Sequence, residues 1–262
     1  MVIDGRALAE KIKTELKSEV LGSQKKIRLA VVKIGSDAAT EKFLEQKKKF
    51  AEDIGVDVRI YEAPVDISTN KLREKVSEIV HIKENTGVIV QLPLPAQINT
   101  QYILDAIIPK KDPDILSSKS RGLSPVVRAI DYIFKTYGVE LKAKNIVVVG
   151  AGRLVGKPIA AWLLNQKATV SVIDENTPNS EHFTNNADII ISGAGKPRII
   201  KPEMVKDGVV AVDCGTSEAA GKISGDFDPE VSNKASLFSP VPGGVGPLTV
   251  AMLFKNLIEL SK

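Results

Sequence analysis

The chain has 262 residues, 43% hydrophobic and 26% charged, with a formal net charge of +4. That length suits one or two domains with a sizeable core. The mixed charges and scattered aromatics argue against a nucleic-acid surface, a mild positive excess suits small anionic ligands, and no apolar run approaches the ~18 residues of a membrane span.

Short apolar strands then alternate with helical patterns along the chain. IRLAVVKIG (27–35) reads as a strand and ATEKFLEQKKKFAEDIG as a helix ending at Gly55. VDVRIYEA reads as a strand, NKLREKVSEIVHIKEN as a helix and GVIVQL as a strand, a βαβ rhythm that predicts a parallel sheet covered by helices. The rhythm breaks at the polar, turn-rich PKKDPDILSSKSRGLSP (109–125), and a helix, SPVVRAIDYIFKTYG, follows. A second series then runs IVVVG, VGKPIAAWLLNQ, TVSVID, ADIIISGAG and GVVAVDCG. The expected fold class is α/β with two domains and a cleft between them. An N-terminal α/β domain spans 1–122 and a Rossmann-like dinucleotide-binding domain spans 123–247. A closing helix over 248–262 is expected to return to the first domain.

The second half carries the clearest ligand signal. In NIVVVGAGRLVGKP, Gly150, Gly152 and Gly156 follow an apolar strand and open a helix, with Arg153 and Val155 in the same turn. Gly150 allows a tight turn, Gly152 lets backbone approach a pyrophosphate, and the helix N-terminus offers N–H donors. The spacing is one residue longer than the common fingerprint. Asp174 and Glu175, at the end of the next strand, are placed to accept hydrogen bonds from ribose hydroxyls, which favours NAD. Arg153 is the counter-signal, since a guanidinium pairs with a 2′-phosphate. Gly193 and Gly195 also follow a strand, as in loops that line a cofactor.

In the first half, Phe43, Phe50, Ala51 and Ile54 form the apolar face of the second helix on a helical wheel. Lys47 falls within that stripe, whereas Lys48 and Lys49 point to solvent. A lysine in an apolar stripe has a lowered pKa and is a candidate for proton chemistry; the alternative is a side chain that snorkels to water. Gln91, at the carboxyl end of a buried strand, is its candidate partner. Asp112 and Asp114 in KKDPDI offer carboxylates for a fused pyrimidinone, or else serve as turn residues. One cysteine, Cys214, leaves no internal disulfide and points to a reducing, cytoplasmic compartment. The MVIDGRALAEKIK start has no signal core. His81 and His182 lack metal-ligand spacing, so no metal is expected.

The stretch FSPVPGGVGPLT (238–249) is rigid and bare enough to border a flat ligand. Taken together, VQLPLP, KDPD, VVGAGRLVGKP, ADIIISGAGKP and SPVPGGVGPLT resemble, in order and spacing, the bifunctional methylenetetrahydrofolate dehydrogenase/methenyltetrahydrofolate cyclohydrolase family. The resemblance runs from Ile3 to the last helix. It implies oxidation of 5,10-methylene-tetrahydrofolate to the methenyl form with NADP, less often NAD, then hydrolysis to 10-formyl-tetrahydrofolate. It implies that Lys47 is the active-site lysine, Gln91 its partner and Asp114 the carboxylate that holds the pterin. Phe43 stacks on the pterin, and Pro242, Gly243, Gly244 and Val245 border the folate and nicotinamide. It also implies a homodimer.

Three departures bear on these expectations. The family has tyrosine where this chain has Phe43, which removes a hydroxyl that orients the lysine. The family's glycine after the second aspartate is Ile115, and the segment to Pro125 is short. Asp174 and Glu175 replace residues that NADP-dependent members use, which leans towards NAD; the family's usual NADP, with Arg153 as a stand-in, keeps NADP first with NAD close behind. The alternatives are a dehydrogenase without cyclohydrolase activity, a two-domain amino- or hydroxy-acid dehydrogenase, and a dinucleotide sensor.

Overall fold

Two parallel sheets carry the fold, each with its earliest strand in the interior. The computed structural model describes residues 1–262 except Gln24, Ser36, Asp37, Ala220 and Gly221. The first series runs α1 (Gly5–Gly22), β1 (Arg28–Ile34), α2 (Ala38–Ile54), β2 (Asp57–Ala63), α3 (Thr69–His81), β3 (Gly87–Val90), α4 (Thr100–Leu104) and α5 (Pro125–Tyr137). The second runs β4 (Asn145–Val149), α6 (Gly156–Leu163), β5 (Thr169–Ile173), α7 (Ser180–Asn185), β6 (Ile189–Ser192) and β7 (Val210–Asp213). A hairpin of β8 (Ser217–Ala219) and β9 (Lys222–Ser224) follows, then β10 (Leu237–Ser239) and α8 (Val245–Leu260).

The smaller sheet has the order β2-β1-β3 and the larger β10-β7-β6-β4-β5, with parallel pairing throughout. In each, the chain leaves the first strand in one direction and later returns to its other side. Ligands of open α/β sheets bind at the carboxyl ends of strands beside such a reversal, here between β1 and β3 and between β4 and β6. The interior of β1 is wholly buried, as a strand covered on both faces must be.

The chain divides into two units: Glu10–Pro125 with Val250–Lys262, and Met1–Ala9 with Val126–Thr249. In the first unit, α3 starts where the Ser68 side chain accepts from Lys71 N, a normal N-cap. It buries Leu72, Val76, Ile79 and Val80 at helical spacing. It ends at His81 rather than running on to Asn85, because Asn85 Nδ2 bonds back to Ile79 O at 2.9 Å and turns the chain. Helix α8 begins at Val245, earlier than Leu248, with Pro247 in its first turn, where a missing N–H costs little. Its later residues belong to the first unit: Phe254 stacks on Phe50 at 5.3 Å, and Asn256 Nδ2 donates to Pro113 O at 2.7 Å.

The first nine residues, expected with the N-terminal domain, group with the second half instead. Ile3 N donates to Phe238 O at 2.8 Å and Phe238 N to Met1 O at 2.8 Å, so this segment lies along the β10 edge. Among the described residues, no helix is long and apolar enough to cross a membrane.

Candidate active site

Lys47 lies on the third turn of α2, and Gln91 immediately follows β3. Gln91 N donates to Val32 O at 2.8 Å, which continues the β1–β3 ladder one residue further. The side chain is thereby fixed at the carboxyl edge of the sheet, and Lys47 Nζ donates to its Oε1 at 2.8 Å. Gln91 Nε2 in turn donates to Leu92 O at 3.0 Å, which sets the amide orientation. Burial pushes the half-buried Lys47 amine below its ordinary value, and the Asp114 charge pulls it part of the way back. Burial lifts Asp114 to about 6, against the pull of the Lys47 charge and with a push from Asp112. Lysine, amide and carboxylate thus form one electrostatically coupled group.

The two aspartates of KDPD separate cleanly. Asp112 is 1% exposed; its Oδ2 accepts from Ser117 N at 2.9 Å and Ser120 Oγ at 2.7 Å. It is a turn residue that shapes the loop, and Asp114 is the one coupled to Lys47. Next to Asp114, Ile115 sits at φ +55. That conformation is strained for a β-branched residue and free for glycine.

Phe43 departs from the helical-wheel expectation. Phe50, Ala51 and Ile54 are buried as expected, and Leu44 joins them, but Phe43 is 40% exposed. It stands one turn before Lys47 as an accessible ring rather than a core residue, which is the disposition a stacking partner needs.

In the second unit, the glycine turn joins β4 to α6. Gly150 has φ +92, and a Cβ there would lie 2.9 Å from Ala194 Cα. A Cβ on Gly156 would lie 1.8 Å from Gly150 O, and one on Gly193 would lie 2.2 Å from Val155 Cγ1. Protein packing alone therefore demands these three glycines. Gly152 differs: it is exposed, and a Cβ built on it would meet nothing nearer than 3.9 Å. The open face at Gly152, at the N-terminus of α6 and the β4–β6 reversal, fits a dinucleotide pyrophosphate. Gly195, at φ +67, continues the loop after β6. Arg153 is exposed in the turn. Asp174 Oδ1 already accepts from Asn176 N at 2.9 Å and Thr177 Oγ1 at 3.4 Å, and Glu175 pairs with Lys196.

The proline-glycine loop belongs to this second unit. Gly244 N donates to Pro240 O at 2.9 Å, Gly243 has φ +102, and the Val241–Pro242 peptide is cis. A Cβ on Gly244 would strike Ser239 Oγ at 2.2 Å. Pro242 is exposed and Gly243 half-buried, whereas Gly244 and Val245 are buried and hold the loop from behind. Gly5 was not singled out from the sequence, yet its N donates to Gly243 O at 2.9 Å, and a Cβ on it would lie 1.8 Å from Gly244 O.

Comparison with known proteins identifies the family. Residues 3–114 match the family described as tetrahydrofolate dehydrogenase/cyclohydrolase, catalytic domain, and residues 124–262 match its NAD(P)-binding domain. The bifunctional protein FolD of Aliarcobacter butzleri is 39% identical over 277 aligned positions, covering 100% of this chain and 96% of the relative. The crystal structure of FolD from Campylobacter jejuni superposes with a TM-score of 0.95 at 36% identity, covering 100% of this chain and 98% of that one. The Trypanosoma brucei enzyme, complexed with NADP and an inhibitor, gives 0.92 at 31% identity, covering 99% and 96%.

Proposed function

Because the chain belongs to the tetrahydrofolate dehydrogenase/cyclohydrolase family, we propose how its own residues divide that family's two reactions. The protein oxidises 5,10-methylene-tetrahydrofolate to 5,10-methenyl-tetrahydrofolate with NADP, then hydrolyses the methenyl product to 10-formyl-tetrahydrofolate, in one-carbon metabolism. The Lys47–Gln91 hydrogen bond, with Asp114 coupled to the lysine, carries the assignment of residues.

Asp114 accepts N–H bonds from the pterin ring, and Phe43 stacks on it. Gln91 takes one Lys47 proton in a hydrogen bond and so aims the rest of the amine. Burial holds the Lys47 amine below its ordinary pKa, which makes it a readier proton acceptor than a solvated lysine. In hydrolysis, a water oxygen bonds to the bridge carbon of the methenyl cation, and Lys47 accepts the proton that water loses. The bond from that carbon to N5 then breaks with its electron pair going to N5, the new hydroxyl becomes the formyl C=O, its proton ends on N5, and the formyl group stays on N10.

Bound dinucleotide supplies the hydride acceptor. Backbone N–H groups of the Gly150–Gly156 turn would hold its pyrophosphate, and Val155, Gly193 and Gly195 would line the site. Arg153 is our candidate for the 2′-phosphate, and Asp174 is the residue that an NAD-bound form would use. The folate-binding part comprises about 10–125 with 250–262, and the dinucleotide-binding part most of the rest. On the family resemblance and the lone Cys214, we read the protein as a cytoplasmic homodimer.

A steady-state assay with 5,10-methylene-tetrahydrofolate, run with NADP and NAD in parallel, tests the reading. Reduced nicotinamide and methenyl absorbance are followed together. Reduction, with methenyl decay faster than in buffer, is expected. Methenyl build-up at the spontaneous rate would favour a dehydrogenase limited by Phe43, and no reduction with either cofactor would overturn the assignment.

A further inference from the structure

Behind the glycine turn lies a buried carboxylate that the two reactions do not use. Asp226 follows β9, is 0% exposed, and accepts four hydrogen bonds from a single loop. Its Oδ2 receives Ser192 Oγ at 2.6 Å, Ala194 N at 2.7 Å and Gly195 N at 3.3 Å; its Oδ1 receives Lys196 N at 2.9 Å. The donors are thus Ser192 at the end of β6 and the three successive peptides at 194–196. That loop is the one packed on the turn, with Gly193 against Val155 and Ala194 against Gly150.

Asp226 is itself held in place. Asp213, at the end of β7, accepts from Asp226 N at 3.1 Å, Phe227 N at 3.0 Å and Gly215 N at 3.0 Å. Two glycines leave room for the pair. A Cβ on Gly215 would lie 2.1 Å from Asp226 Cγ, and one on Gly225 would lie 2.0 Å from Asp213 Oδ2. The chain therefore brings two carboxylates together in the interior, where a carboxylate is costly to bury, and satisfies them with backbone N–H groups. Each of the four donors on Asp226 points at an acceptor, so an amide in its place would set its NH₂ against at least one N–H.

We propose that Asp226 is a positioning residue for the dinucleotide: its carboxylate fixes the 193–196 loop against the Gly150–Gly156 turn in the shape that binds the cofactor. The inference rests on the reading of that turn as the dinucleotide site. It makes the β6 loop a preorganised wall rather than one ordered by the ligand, so loss of the carboxylate costs cofactor affinity and spares the chemistry at Lys47.

The test measures NADP dissociation constants by calorimetry for the wild type, Asp226→Asn, Ser192→Ala and Gly215→Ala. Hydrolysis of supplied 5,10-methenyl-tetrahydrofolate is followed on the same samples. Asp226→Asn is expected to weaken NADP binding by tenfold or more, and Ser192→Ala by about two- to fivefold, with methenyl hydrolysis within twofold of wild type. Gly215→Ala keeps every donor and acceptor but displaces the carboxylate, and should weaken binding as well; with Ser192→Ala it decides the matter if Asp226→Asn does not fold. NADP binding within twofold of wild type in the folded variants would overturn the inference. So would a parallel fall in binding and hydrolysis, which marks a merely structural role. A wild type that binds no dinucleotide would overturn the underlying reading of the turn, and the inference with it.

Discussion

Lys47 and Gly156 lie on corresponding helices of two similar sheets, Lys47 on the third turn and Gly156 at the start. Each lies on the helix that follows an interior strand, α2 after β1 and α6 after β4. At one place the sequence supplies a long charged side chain bonded to Gln91; at the other it removes the side chain, because a Cβ would lie 1.8 Å from Gly150 O. The difference follows from the chemistry. Moving a proton requires a titratable group with a displaced pKa, whereas holding a pyrophosphate requires bare N–H groups at a helix start. The same α/β layout thus serves one purpose by adding functional groups and the other by subtracting them.

If that contrast is right, the two sites fail independently. Lys47→Met keeps the apolar stem and removes the amine. Methenyl hydrolysis should fall by about 10²- to 10⁴-fold, the usual worth of a proton-transfer group, with NADP affinity within twofold by calorimetry; a parallel loss of NADP binding would break the comparison. Gly156→Ala is the mirror experiment. Forcing a methyl against Gly150 O should weaken NADP binding by tenfold or more and destabilise the protein by about 1–3 kcal/mol, the ordinary cost of overpacking. Calorimetry and thermal unfolding check both, and methenyl hydrolysis below the unfolding temperature should persist.

Asp114→Asn sharpens the comparison through pH. The folded-state pKa is raised to about 6 from 3.8, so acidifying through about 6 protonates the carboxylate that receives the pterin. For the wild type, kcat/KM for methylene-tetrahydrofolate should fall on that acid limb, and the asparagine variant should lack the limb. The stability sign is opposite. A raised folded pKa gives stability that is full below 3.8 and lost as pH rises through about 6. At pH 7 the variant should therefore unfold a few degrees higher, equivalent to ~1–2 kcal/mol after allowance for partial exposure. The smallest effect is expected from Phe43→Tyr. A hydroxyl on a ring already 40% exposed should raise methenyl hydrolysis only a few-fold, without altering NADP affinity.

What the sequence disclosed follows the same division. Lys47 stood out because one charge interrupts an apolar stripe, and Gly150 and Gly156 stood out because a strand precedes them and a helix follows. The helical wheel puts Phe43 on the apolar face with Phe50, because it gives the same angle to a core aromatic and to one that faces a ligand; only the family resemblance points to stacking. Asp112 and Asp114 are alike by residue type and spacing, and only the family resemblance singles out Asp114; the structure shows Ser117 and Ser120 occupying Asp112. Asp226 and Gly5 gave no local signal at all, since their partners, Ala194 and Gly244, are far away in sequence. Helix α8 starts three residues earlier than expected, because a proline in the first turn interrupts nothing.

The segment along the β10 edge also bears on how the protein is made. Val2 bridges Phe238, and Gly5 bonds to Gly243, so these early residues precede their partners by almost the whole length of the chain. During synthesis they wait, unpaired, until β10 and the proline-glycine loop have left the ribosome. The larger sheet can begin to assemble as β4 to β7 emerge, but this edge closes last. Contacts of such long sequence separation slow folding, and a chaperone that shields the first turn of α1 during that interval would act on a late step of folding.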